Sequence, residues 1–143
     1  SNKFVVGPAW DFDIAFDNEK RAYPTDKFND FLYTTQVNVA SETVRKMANV
    51  IIKKDTAARQ RLIEMWNKAR TEQGIDSEAL LEYIDQTAQL LNESQKLNFK
   101  RWDILNQRVH ENPQAAGSYE GEVAILKNYI SKRVPKLDTL IGQ

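Results

Sequence analysis

Residues 118–141 read SYEGEVAILKNYISKRVPKLDTLI, and the spacing of their apolar positions decides the fold class. Val123, Leu126, Ile130, Val134, Leu137 and Ile141 recur every three or four residues, the period of one face of an α-helix. Ser118 stands where an N-cap is needed, and Glu120 and Glu122 fall in the first turn, where carboxylates suit the helix dipole. Lys127, Lys132 and Lys136 are expected to face out. Pro135 sits inside the stripe, where it lacks a backbone donor and crowds the preceding turn, so a kink is expected there.

The same period extends upstream. A helix opening at Asp76 or Ser77 carries Leu80, Leu81, Ile84, Ala88 and Leu91, then Phe99, Trp102 and Leu105. Continuous from Ser77 to Asn106 it would be about 45 Å long at 1.5 Å per residue, more than a small domain spans, so a bend or break is expected in the polar stretch Asn92 to Asn98. Asp55 is placed to cap an earlier helix with Ala58, Leu62, Met65, Trp66 and Ala69 on one stripe, and Gly74 to end it. Ser41 is placed to cap the first, through Val44, Met47, Ala48, Ile51 and Ile52. Pro113, Gly117 and Ser118 mark residues 110–118 as a loop.

Before Ser41 the pattern changes. Residues 17–41 mix Asp, Asn, Lys and Pro24 with Tyr23, Phe28, Phe31 and Tyr33 and hold neither period. They read as a long ordered loop, its aromatics anchoring it on the core or lining a cleft. Phe4, Val5 and Val6 have the character of a buried strand, and Pro8 ends its pairing. The expectation is one mainly α domain over 1–143: a strand and acidic segment at 1–16, the loop at 17–41, and four to five helices over 42–143.

Composition agrees with one globular unit, at 41% hydrophobic and 28% charged residues. Twenty basic residues balance twenty acidic ones, so nothing draws the chain to nucleic acid. The absence of cysteine excludes disulfides, zinc ribbons and thiol catalysis, and leaves the redox compartment open. No apolar run is long enough to span a membrane. The lone His110 rules out a triad or a multi-histidine metal site within these residues and reads as a solvated side chain. Arg101, Trp102 and Arg108 would suit an anion, but arginines on a long helix commonly pair with acids such as Asp103 or Glu111.

Chemistry is concentrated in Gly7-Pro8-Ala9-Trp10-Asp11-Phe12-Asp13-Ile14-Ala15-Phe16. In an extended segment Asp11 and Asp13 project the same way, away from Phe12 and Ile14. They then offer two hard oxygen ligands to Mg2+ or Mn2+. The plain structural alternative is that both acids cap turns while Trp10, Phe12 and Phe16 are core. A calcium loop starting at Asp11 is excluded, because Phe16 stands where it needs Gly and Ala22 where it needs Glu.

This run, continued as Asp17-Asn18, resembles the CotH family of spore-coat-type atypical protein kinases. The resemblance continues in Arg61 to Arg70, in Arg101-Trp102, and from Glu122-Val123 through Asp138. It implies a helical C-lobe portion of a kinase-like fold, with Asp11 acting like the metal-binding Asp of the kinase Asp-Phe-Gly triplet and Asp13 as a second ligand or its neighbour. Mg2+ with ATP would be bound only in a longer protein. The glycine-rich cover, the phosphate-pairing Lys and the catalytic base precede the metal-binding Asp in kinases, and only ten residues precede Asp11, so this portion alone is expected not to transfer phosphate. Asp17 departs from the pattern, which has a small residue before the Asn. The resemblance also implies a spore-coat or cell-envelope setting and a protein substrate.

Two other readings are weighed against it. An Asp-x-Asp glycosyltransferase would hold Mn2+ against a nucleotide sugar, but its motif lies within alternating strands and helices, unlike this helical sequence. A non-catalytic helical interaction module would have structural acids and an exposed apolar patch. A core built to pack against a missing upstream lobe would also allow a homodimer through that face.

Overall fold

The computed structural model describes residues 13–20, 31 and 42–142. One 3-10 turn, Asp13–Phe16, is followed by α1 (Glu42–Lys53), α2 (Thr56–Glu72), α3 (Ser77–Leu90), α4 (Asn92–Arg101) and α5 (Tyr119–Gly142). The mainly helical expectation holds, with five helices and no strand among the described residues. The strand expected at Phe4–Val6 lies outside them.

Caps set the boundaries. The Asp55 carboxylate accepts from Ala58 N–H, and the Asp76 carboxylate from Ala79 N–H, each at 2.9 Å. Ser118 Oγ accepts from Gly121 N–H at 2.9 Å, which satisfies a first-turn donor. The Glu122 carboxylate reaches back over the same turn to Ala116 N–H at 2.8 Å. Gly74, at φ +67, reverses the chain after α2, and Ile75 N–H returns to the Ala69 carbonyl at 3.2 Å, a left-handed helix stop that glycine adopts without strain. Ser41, the expected cap of α1, lies outside the described residues.

α5 is the spine, since α2, α3 and the 3-10 turn all pack on it. Tyr129, Ile130 and Val134 of α5 form the core with Leu80, Leu81 and Ile84 of α3 and Leu126. Burial of Ile130 and Val134 contributes about 2 kcal/mol each. The predicted stripe on α5 thus meets its partner, and the helix runs through Pro135 without interruption. Two polar links cross the α3–α5 contact: Lys127 Nζ lies 2.6 Å from each carboxylate oxygen of Asp85, and Tyr119 Oη donates to the Ala88 carbonyl at 3.3 Å. Lys127 was expected to face out; it is half-buried because Asp85 faces it.

Three further expectations are corrected. The break after α3 falls at Leu91, just ahead of the polar stretch, and the helical path ends at Arg101 because Trp102 turns extended (φ −123, ψ 92). Trp102 is consequently exposed, with the Arg101 guanidinium 5.2 Å from its ring, while Phe99 packs toward Tyr119 at 6.4 Å between ring centroids. The helix expected through Val44 to Ile52 forms as α1, with Val44, Met47 and Ile51 exposed and Ala48 and Ile52 half-buried. Tyr129 and Arg133, outside the predicted stripe, are buried.

α2 is fixed by two polar staples. Trp66 Nε1 donates to Asp138 Oδ1 at 2.8 Å, and Arg70 grips the same carboxylate with Nε and Nη2 at 3.0 and 3.1 Å. Arg59 bonds the Ile52 carbonyl near the end of α1 at 3.0 Å and the Leu140 and Ile141 carbonyls near the end of α5 at 3.1 and 2.9 Å. A guanidinium is well matched to carbonyls left free at helix C-termini.

Candidate functional site

The described residues begin at the second acid of the sequence motif. Asp13 opens the 3-10 turn, which packs on α5; Asp11 lies outside the described residues. Immediately after the turn Asp17 adopts φ +67, the left-handed region where a glycine is free and an Asp is among the few side chains tolerated. The departure noted in the sequence therefore falls on a backbone reversal, a conformation that glycine adopts without strain and that Asp is among the few other residues to tolerate.

The reversal folds the next three residues onto the loop before α5. Lys20 N–H donates to the Glu111 carbonyl at 2.9 Å, and Lys20 Nζ pairs with Glu111 Oε2 at 2.9 Å. Glu19 is buried, and its carboxylate lies 4.0 Å from His110 Nε2. His110, itself at φ +51, is exposed as expected, yet it faces an acid. Phe31 is half-buried, in keeping with an anchoring role; Tyr23, Phe28 and Tyr33 lie outside the described residues.

Between the turn, α3, α5 and residues 112–114 lies a cleft of about 490 Å3. Leu80, Ile84, Leu126 and Ile130 give it an apolar floor, and Asp17, Asn18 and Glu122 give it a polar edge. Its size falls within the range of small-ligand sites, roughly 300–1,000 Å3. Asp17, Glu19 and Glu122 were not among the sequence-derived candidates. Only the irregularity at Asp17 pointed to them, because the cleft that Asn18 and Glu122 line is formed by segments far apart in the chain.

The donor set of the motif is carboxylate oxygen, which fits Mg2+. That ion takes one or two protein carboxylates and keeps water and phosphate for its remaining positions. Among the described residues no group of three or more His, Cys, Asp or Glu is placed to hold a metal. The Arg101 guanidinium lies 5.2 Å from the Trp102 ring centroid, and Arg108 Nε donates to the Asn112 carbonyl at 3.1 Å. Among the described residues no helix is long and apolar enough to cross a membrane.

Residues 1–137 match the pattern of a protein family described as CotH kinase protein. No curated protein and no solved structure matches the chain.

Proposed function

Because the chain belongs to the CotH kinase protein family, we propose that it is the C-terminal helical part of an ATP-dependent protein kinase. In this reading Asp11 holds Mg2+ beneath the ATP phosphates, with Asp13 as a second ligand or its immediate support. The nucleotide lobe and the base that accepts the substrate hydroxyl proton come from residues upstream of these 143. Bound Mg2+ would neutralise charge developing on the transferred phosphoryl group; this chain's part is to hold the carboxylates at a fixed place and direction.

The observation that carries the reading is that the family match covers the Gly7–Asp13 motif, while the residues directly after it form a turn seated on the core helix α5. A rigid support is what a metal-binding acid requires, since small displacements at a reacting centre are costly. The test is calorimetric titration of Mg2+ with ATP into this chain and into the protein extended upstream, each with and without Asp11→Ala. Binding by the longer form, lost on substitution while the melting curve is unchanged, is expected. Full phosphoryl transfer by Asp11→Ala in the longer form would sink the assignment.

The exposed Val44, Met47, Val50 and Ile51 on α1 favour a second reading, a non-catalytic interaction module of a spore-coat or cell-envelope protein whose apolar face meets a second copy of the chain. Sedimentation equilibrium decides it: a constant monomer mass into the high micromolar range removes this reading.

A further inference from the structure

We propose that the outer side of α3 and α4 is a self-association surface, on which a second copy of this chain docks antiparallel with Leu90 against Leu90. The proposal is independent of the kinase reading and uses a different face from the α1 residues above.

Spacing is the first observation. Tyr83, Leu90 and Leu97 lie seven residues apart and are 67%, 83% and 72% exposed, the most exposed large apolar side chains among the described residues. Leu91 N–H donates to the Thr87 carbonyl at 3.0 Å, and Gln95 N–H to the Leu91 carbonyl at 2.8 Å, so the helical path carries on through the junction of α3 and α4. Seven residues are close to two full turns, and the three side chains therefore form one stripe about 21 Å long. It lies away from the packed side, where Leu80, Leu81 and Ile84 meet α5 and Phe99 packs toward Tyr119. Single exposed apolar residues are ordinary on a protein surface, but a seven-residue repeat is the pattern by which one helix receives another.

Charge selects the partner. Glu78 and Glu82 stand toward one end of the stripe, and Lys100 and Arg101 toward the other; all four are exposed. Among the described residues none of the four forms an ion pair within the chain. A stripe that is acidic at one end and basic at the other repels a parallel copy of itself and attracts an antiparallel one. Turning a second copy end for end about Leu90 sets each Tyr83 opposite a Leu97, since both lie seven residues from Leu90. The same operation brings Glu82 of each copy beside Lys100 of the other. Every contact has its two-fold mate, so the association closes at a dimer.

The test has two arms. The chain contains no cysteine, so a single introduced thiol reports on its own surroundings. Leu90→Cys lies on the two-fold axis, and with oxidised glutathione it is expected to form a disulfide-linked dimer about tenfold faster than Met65→Cys, because the docked copies hold the two thiols at high effective concentration. Met65 is an exposed position of α2 outside the stripe. In the second arm, sedimentation equilibrium compares Glu82→Lys, Lys100→Glu and their equimolar mixture. Each variant alone is expected to dimerise about tenfold more weakly, since attraction becomes repulsion at two symmetric places. The mixture is expected to recover the original association, because one variant is basic at both ends and the other acidic at both. Melting temperatures should stay unchanged, the substituted positions being exposed.

A constant monomer mass into the high micromolar range, equal crosslinking at the two cysteine positions, or a mixture of the charge variants no more associated than either alone would each overturn the proposal. Crosslinking through Met47→Cys in place of Leu90→Cys would also overturn it, and would assign the association to α1.

Discussion

Arg70 and Asp138 form a two-pronged pair, Nε to Oδ1 at 3.0 Å and Nη2 to Oδ2 at 3.1 Å, that joins α2 to the last turns of α5. Arg70 Nη1 also donates to the Ile75 carbonyl at 2.7 Å, so the same side chain holds the turn that follows its own helix. Arg70 lies within residues 1–137, which match the family pattern, and Asp138 directly follows them. A planar guanidinium matches a carboxylate in a way that an ammonium does not.

Asp138→Ala should cost about 2–3 kcal/mol, because it strands both Arg70 and the Trp66 indole N–H, whereas Trp66→Phe, which loses one bond and keeps most of the ring, should cost about 1 kcal/mol. Urea denaturation of the single and double variants checks this. Fully additive losses would show that Trp66 and Asp138 are not energetically coupled.

Arg59→Met removes three bonds to backbone carbonyls while keeping the apolar stem. The expected loss is about 2–3 kcal/mol, with amide exchange accelerating at the ends of α1 and α5 together. Arg59→Lys should recover less than half, because one ammonium does not span carbonyls on two helices.

Two glycines should respond for different reasons. Gly74→Ala meets no atom within 4 Å, so its cost is the left-handed backbone alone, about 1 kcal/mol. Gly121→Ala would place its Cβ 2.8 Å from Ala116 Cβ and 3.0 Å from the Ala116 carbonyl. It must shift the loop that leads into α5, and thermal melts should show the larger loss there.

Met47→Glu alters a side chain that is 52% exposed in the middle of the α1 apolar face. It should leave the melting temperature of the monomer within about 2 °C, as surface changes generally do, and the concentration-dependent rise in mass should equal that of the unaltered chain, since α3 and α4 carry the association. Abolition of the rise would assign it to the α1 face.

Helix number and most helix starts were legible because caps are local: Asp55, Asp76 and Ser118 each act within three residues of themselves. Burial was less legible, since it depends on what lies opposite. Lys127 is drawn inward by Asp85, forty-two residues away, and Tyr129 is covered from outside its predicted stripe. Val44 and Met47 have the period of a buried face, but a period records only that one side is apolar and not that a partner occupies it. At the candidate site, the sequence marked the motif and the irregular Asp17. It carried no trace of the cleft, whose walls come from segments far apart in the chain, and Asp11, on which the metal assignment turns, lies outside the described residues.

The family pattern ends at residue 137, one residue before Asp138. A domain cut at that boundary would lose in one stroke the acceptor of Trp66 and Arg70 and, with Leu140 and Ile141, two of the three carbonyls held by Arg59. The last five residues of the spine thus act as a latch for helices at the opposite end of the sequence. Anyone expressing a relative of this chain by trimming it to the family's recognisable extent should expect the first two helices to come loose, although every residue of both would still be present.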